Sequence, residues 1–235
     1  MDVDQLHLNR TWQYAAYAMI FLIALIFIII LLPSSGSFFR RFFGETNAVL
    51  VLLFTALAGA VALRLLQSRF NFVLFIGRGT SQGLIQSAGL ATILAVAIVI
   101  ADFFIRYPED INVPIPQAIL FYPSVGFIAE IVFHVLPLAL LLIILNPLGS
   151  WVGRERVIWL AILVVAVLEP TFQILFGGEV LTWGSAFTWI HVFAIAALQL
   201  YVFRRFDFVS MYSFRLIYYA YWHILWGVVR LKVLF

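Results

Sequence analysis

The amino-acid sequence predicts an all-α membrane protein, a polytopic transmembrane helical bundle. Of its 235 residues, 65% are hydrophobic and only 11% are charged, whereas soluble domains have about a quarter charged residues. The apolar residues form runs of about 20 along the whole chain, the length that crosses a bilayer as a helix. We therefore expect one integral-membrane domain over residues 1–235, with no room for a large soluble domain.

Seven segments are long enough to cross a bilayer. They lie at about 12–32, 47–66, 83–105, 117–145, 157–176, 185–203 and 209–230. An eighth crossing is the alternative if the Phe-rich stretch 70–76, or the long last segment, is divided differently. The first segment follows Arg10, but its apolar run of about 20 residues exceeds the roughly 7–15 of a signal peptide, so we interpret it as a retained helix.

The basic residues are 13 arginines and one lysine, and most of them lie in short loops between apolar segments. This distribution favours orientation in a bilayer over nucleic-acid binding. One side of the membrane holds eight of them: Arg10, Arg64, Arg69, Arg78, Arg154, Arg156, Arg204 and Arg205. The other side holds fewer basic residues, Arg230 among them, and more acidic ones. The positive-inside rule then predicts a multi-pass protein of the cell membrane with a cytoplasmic N-terminus.

Several ionisable side chains lie inside predicted membrane helices, where each costs about 2.5–3.5 kcal/mol on insertion scales and so normally faces a bundle interior or a water-filled cavity. They are Glu130 and His134 in the fourth segment, Glu169 in the fifth, His191 in the sixth, and Arg215 and His223 in the last. Of the four histidines, only His7 lies outside these segments. This concentration predicts a shared interior site.

The fourth segment, 126-GFIAEIVFHVLPLAL-140, contains two of these residues four positions apart. Positions i and i+4 are neighbours on a helix, so Glu130 and His134 share one face. Pro123, Gly126 and Pro137 bracket them, and an interior proline removes one backbone hydrogen bond and kinks a helix. We expect an irregular helix with space for water or a substrate beside the polar pair.

The order of these residues resembles the CAAX prenyl protease and bacteriocin-processing (CPBP) family of intramembrane proteases. That family carries a Glu-Glu-x-x-x-Arg motif, then Phe-x-x-x-His, then His-x-x-x-Asn/Asp, each on a different membrane helix. Here the three motifs read 129-AEIVFH-134, 187-FTWIH-191 and 223-HILWG-227. The resemblance covers about residues 117–230 and implies hydrolysis of peptide bonds in a membrane-associated peptide or protein substrate.

The sequence departs from the family pattern at three positions. Ala129 replaces the leading glutamate, His134 replaces the arginine, and Gly227 replaces the amide or acid of the third motif. In the family, the leading glutamate is thought to activate a water with the second-motif histidine, and the third motif is thought to stabilise the oxyanion. The resemblance then implies that Glu130 takes over as general base with His191, while His223 polarises the scissile carbonyl.

Two further interpretations of the same residues stay open. Glu130, His134, His191 and His223 make a one-carboxylate, three-imidazole set, enough for tetrahedral zinc, which would lower the pKa of a bound water. The chain has no cysteine, so no thiolate competes for such a role. Alternatively, the protein is a catalytically inactive CPBP-like membrane scaffold or binding protein.

A proton-coupled transporter is the candidate from another class, since intramembrane Glu, His and Arg also form proton relays. No internal repeat is visible in the sequence, which counts against it. Under every interpretation Arg215 needs a partner at membrane depth, and we expect that partner to be Glu130 or Glu169.

Overall fold

The structure is a computed structural model that describes residues 10–177 and 182–235, and within these ranges it is helical with no strand. The elements are α1 (Arg10–Phe43), α2 (Ala48–Phe70), α3 (Thr80–Ile105), α4 (Gln117–Ala129), a first π-helical segment (Glu130–Val135), α5 (Leu136–Leu145), α6 (Gly149–Val152), α7 (Arg154–Ala166), α8 (Leu168–Gly177), α9 (Trp183–Arg205), α10 (Phe208–Tyr219), a second π-helical segment (Ala220–Trp226) and α11 (Gly227–Val233). Short 3₁₀ turns lie at Gly77–Gly79, Glu109–Ile111 and Asn146–Leu148.

The helices confirm the predicted all-α transmembrane bundle. Six of them are long and apolar enough to cross a membrane: Thr11–Pro33, Ala48–Phe70, Thr80–Ile105, Gln117–Val152, Arg154–Leu175 and Trp183–Arg205. The seventh predicted crossing is helical over residues 208–233, but its arginines and histidine make it more polar. Residues 71–76, the alternative eighth crossing, form a non-helical connection.

The fourth crossing lies at the centre of the bundle. Residues 124–131 are buried without interruption, whereas α1 and α3 expose large apolar side chains along their outer faces, as helices in contact with lipid do. α10 packs closely along α3, where Gly83 allows the approach, and Ser87 Oγ donates a hydrogen bond to the Ser210 carbonyl at 2.8 Å. The polar residues of the fourth crossing are thus surrounded by other helices.

Two crossings contain a π-helical segment, in which the backbone hydrogen bonds span five residues instead of four. The first segment contains Glu130 and His134, and the second contains His223. The first follows Pro123 and precedes Pro137, in agreement with the irregularity expected there. A π segment rotates the side chains that follow it relative to an α-helix, and such segments occur often at functional sites.

A buried ion pair joins α3 to the last helix, α11. Arg230 is fully buried, and its guanidinium lies 2.7 Å (Nε) from Oδ2 and 3.0 Å (Nη2) from Oδ1 of Asp102. In the sequence analysis Arg230 was counted among the basic residues of the less basic membrane side, at the end of the last predicted segment, and no partner was named for it. Hydropathy does not reveal the pair, because Asp102 and Arg230 are 128 positions apart.

Candidate functional site

A cavity of about 610 Å³ lies between the helices that carry the predicted polar residues. Its outer end reaches the surface at Arg41 and Asp110, whose side chains are 49% and 74% exposed and form an ion pair of 2.5 Å. Its wall is largely aromatic, with Tyr107, Tyr122, Tyr218, Tyr219 and Trp222. Four of the predicted ionisable residues also line it: Glu169, His191, Arg215 and His223.

Arg215 is the central cation of the site, and it pairs with both predicted carboxylates. Its Nε lies 2.5 Å from Oε1 of Glu130, and its two Nη atoms each lie 2.8 Å from one oxygen of Glu169. Nη1 also donates to the Tyr219 hydroxyl at 3.0 Å. The predicted partner of Arg215 was Glu130 or Glu169, and the structure pairs it with both, which satisfies a guanidinium that is only 3% exposed.

Glu130 is fully buried and is not among the residues that line the cavity. Its Oε1 accepts hydrogen bonds from Arg215 Nε and from the Gln199 side-chain amide, and its Oε2 lies 2.7 Å from Nδ1 of His134. Both oxygens are therefore engaged. Of the two carboxylates that pair with Arg215, Glu169 is the one that lines the cavity.

Glu169 stands at the start of α8, where the fifth crossing is interrupted. α7 ends at Ala166 and α8 begins at Leu168, and Pro170 follows in the first turn of the new helix, where the missing N–H of proline is tolerated. The interruption directs Glu169 towards Arg215. His134 Nε2 lies 3.4 Å from Oε2 of Glu169, outside hydrogen-bond geometry, so this nitrogen is buried without a hydrogen-bond partner.

His191 lies on α9 and reaches the cavity wall on the side of α10. Its Nε2 is 3.1 Å from the Tyr218 hydroxyl, and its ring stacks on Phe187 with centroids 5.8 Å apart. The second-motif spacing of Phe187 and His191 thus corresponds to one turn of α9, with both rings on one face. His191 forms its hydrogen bond with a phenol and not with a carboxylate.

His223 lies in the second π segment, and its hydrogen-bond partner comes from the α3–α4 connection. Its Nδ1 lies 2.7 Å from Oδ1 of Asn112. The ring stacks on Tyr122, with centroids 4.4 Å apart and an angle of 20° between the planes. Among the described residues, none forms a hydrogen bond with Nε2 of His223.

Two residues of the site were missed by the sequence analysis. Gln199 bridges Glu130 and Arg215 from α9, and Asn112 contacts His223 from a loop. A glutamine inside a predicted membrane helix indicates a polar contact in the bundle interior. Gln199 was not considered because only ionisable residues were compared. Asn112 lies outside the predicted helices and carries no such signal.

The four side chains predicted as a zinc set do not converge. His134 contacts Glu130, whereas His191 contacts Tyr218 and His223 contacts Asn112. In the part of the chain that the structure describes, no group of three or more His, Asp or Glu side chains has the arrangement of a metal site. Zinc binding by this set stays a prediction from the sequence.

No family model, curated protein or solved structure matches this chain.

Proposed function

We propose that the protein is an intramembrane endopeptidase that resembles the CPBP family and hydrolyses a peptide bond of a membrane-associated substrate in this cavity. The observation that carries the proposal is a pair of histidines from two helices that line one cavity, each with a defined hydrogen-bond partner. The cavity extends from the surface at Asp110 to Glu169 and Arg215, so water and an extended peptide segment can share it. Its aromatic wall suits apolar substrate side chains.

The contacts favour His223 as the general base. The amide oxygen of Asn112 can only accept, so Nδ1 of His223 donates to it and Nε2 is left with its lone pair. Nε2 takes a proton from water as the water oxygen attacks the scissile carbonyl carbon, and returns a proton to the leaving amine. A positioned base contributes about 10²–10⁴-fold to such a reaction.

His191 and Tyr218 are the hydrogen-bonded pair that would polarise the substrate carbonyl. A donor directed at the developing oxyanion contributes about 10²–10³-fold. Glu130, which the sequence predicts as the general base, receives a positioning role in this proposal, because Arg215, Gln199 and His134 occupy its oxygens. It fixes Arg215, and Arg215 in turn fixes Glu169 at the inner end of the cavity.

The proposal is tested by profiling the N-termini of membrane proteins in cells that express the wild type, His223→Ala, His191→Ala or Ser150→Ala. Wild type and Ser150→Ala, a change at an exposed position of the short helix α6, should generate the same new N-termini. We expect these to decrease at least about 100-fold in His223→Ala and in His191→Ala. Thermal unfolding of the purified variants checks that each is folded.

An identical set of N-termini in all four strains, with every variant folded, would refute the endopeptidase. That result would favour the scaffold, in which the same side chains form a polar core without catalysis.

A second candidate, a proton-coupled transporter, is favoured by a different observation. Glu169 lines the cavity and lies 3.4 Å from the unpartnered Nε2 of His134, so a proton could pass from the cavity to a buried imidazole. Proton uptake into liposomes that contain the protein would measure this activity. Uptake that is lost in His134→Gln and kept in His223→Ala would support transport over proteolysis.

We also propose that the protein is a multi-pass protein of the cell membrane with its N-terminus in the cytoplasm. The side predicted as cytoplasmic carries a cluster of basic side chains. Arg204 lies 2.5 Å from Glu155 and 3.0 Å from the Phe70 carbonyl, and the Arg154 guanidinium lies 5.3 Å from the Phe70 ring centroid. The ends of α2, α7 and α9 therefore meet at one basic face, which the positive-inside rule assigns to the cytoplasm.

A further inference from the structure

Asn112 and Gly227 are in direct contact. A Cβ built on Gly227 would lie 3.1 Å from Nδ2 and 3.3 Å from both Cβ and Cγ of Asn112. These distances are shorter than ordinary van der Waals contact, so the asparagine occupies the space that a side chain at position 227 would need. Position 227 is four residues after His223, where the CPBP pattern has an amide or acid.

The loop that carries Asn112 is fixed on both sides of it. Before Asn112, Arg230 donates hydrogen bonds to the Tyr107 carbonyl at 2.5 Å and to the Pro108 carbonyl at 2.8 Å. Immediately after it, the Val113 N–H donates to the Tyr122 hydroxyl at 2.9 Å. Arg230 is also paired with Asp102. The backbone around Asn112 is therefore held by buried contacts, which fix the position of the Asn112 side chain.

The His223 ring is restrained in the same way. Tyr122 stacks on one face of it, and Tyr219 approaches edge-on with centroids 5.0 Å apart. Tyr122 therefore touches the ring and also holds the backbone next to Asn112. With the ring plane fixed, the Nδ1···Oδ1 contact of 2.7 Å selects which ring nitrogen bears the proton.

We infer that Asn112 is a positioning residue that replaces, from the α3–α4 connection, the amide missing at Gly227, and that holds His223 with its proton on Nδ1 and its Nε2 lone pair available to the cavity. This inference deepens the proposed function and depends on it for the activity measurement. The state of the ring itself can be measured without any substrate.

The test uses ¹⁵N-histidine-labelled full-length protein in lipid nanodiscs, with His223→Gln to assign the His223 signals. We expect the wild type to show a protonated Nδ1 and an unprotonated Nε2. Asn112→Gly should shift the proton to Nε2 in most molecules and reduce cleavage at least about tenfold, a part of what a general base contributes. Asn112→Asp, whose carboxylate accepts the same hydrogen bond, should keep the wild-type pattern.

A matched pair of double variants tests the replacement. Asn112→Gly empties the space beside position 227, so Asn112→Gly/Gly227→Asn returns an amide at i+4 from His223, on the same helix face. Asn112→Gly/Gly227→Ala fills the space without an amide. We expect Gly227→Asn to restore the Nδ1–H form and cleavage, and Gly227→Ala to restore neither.

A wild-type ¹⁵N pattern in folded Asn112→Gly would overturn the inference. Equal recovery in the Gly227→Asn and Gly227→Ala double variants would overturn it as well, because packing alone would then explain the effect. If the ring proton moves as expected while the wild type cleaves nothing, the positioning role stands and the proposed function fails.

Discussion

At the scale of single residues, the main feature of the site is a set of buried charges, each of which requires a partner of opposite charge. Removing one partner from a buried ion pair leaves an uncompensated charge, which is far more costly than an exposed one. Arg215 and Glu130 are almost completely buried, and every polar direction of the guanidinium is occupied by Glu130, Glu169, Tyr219 or Gln199. Arg215 therefore sets the positions of both carboxylates.

Arg215→Met should destabilise the protein by about 3–5 kcal/mol, because two buried carboxylates lose their cation. Adding Glu130→Gln and Glu169→Gln to this variant should recover most of the loss, since no uncompensated charge remains. Reversible unfolding of the purified protein in mixed micelles measures both effects. The matched control is Arg205→Met, which removes an exposed arginine and should change the stability by less than about 0.5 kcal/mol. Equal stabilities of the two single variants would contradict the buried network.

At the scale of elements, the two π segments place the functional side chains. The first contains Glu130 and His134, and the second contains His223. Prolines flank the first segment at 123 and 137, and they indicated an irregular helix there. The second, 220-AYWHILW-226, contains neither proline nor glycine, so neither of the residues that bracket the first segment marks its π geometry in the sequence.

The contact between α3 and α10 provides an element-scale prediction. A Cβ on Gly83 would lie 2.2 Å from Oγ and 2.8 Å from Cβ of Ser210, whereas a Cβ on Gly89 of the same helix would meet nothing within 4 Å. Gly83→Ala should therefore force the helices apart and cost about 1–3 kcal/mol. Gly89→Ala should be neutral or stabilise by up to about 1 kcal/mol, because alanine is the better helix former. Thermal unfolding of the two variants side by side measures the difference, and equal melting temperatures would contradict the close packing.

At the scale of the whole molecule, the cavity is formed by elements that are far apart in the sequence. Its outer end includes Arg41 from the end of α1 and Asp110 from the α3–α4 connection, which are 69 positions apart and ion-paired. Its inner end is formed by α8 and α10 through Glu169 and Arg215. Under the proposed orientation, the cavity opens to the outside of the cell.

This orientation predicts a labelling pattern that the absence of cysteine makes simple to measure. Single cysteines are introduced as Ser68→Cys, Ser150→Cys and Glu109→Cys, all at exposed positions. A membrane-impermeant maleimide added to intact cells should label Glu109→Cys only, and all three should be labelled after the membrane is opened. Labelling of Ser68→Cys and not of Glu109→Cys in intact cells would reverse the topology.

The sequence by itself determined that the protein is an all-α membrane protein, and it determined the order of its helices along the chain. Apolar runs of membrane-spanning length are a local property, and the predicted segments begin within a few residues of the observed helices, although α1 continues to Phe43, beyond the predicted end at 32. The positions of ionisable residues within the predicted membrane segments could likewise be read from each segment by itself. The need of Arg215 for a partner followed from the cost of a charge at membrane depth, and Glu130 or Glu169 was the predicted partner.

Only the tertiary structure decided which polar residues line the cavity and which are enclosed by other side chains. It engages Glu130 with Arg215, Gln199 and His134 away from the cavity, whereas Glu169, the other carboxylate bound to Arg215, lines the cavity. It also brings Asn112 to His223 across 111 positions of sequence. The physical reason is that helical periodicity relates residues three or four positions apart, whereas contacts between helices depend on rotation, π segments and close packing, which no single segment encodes.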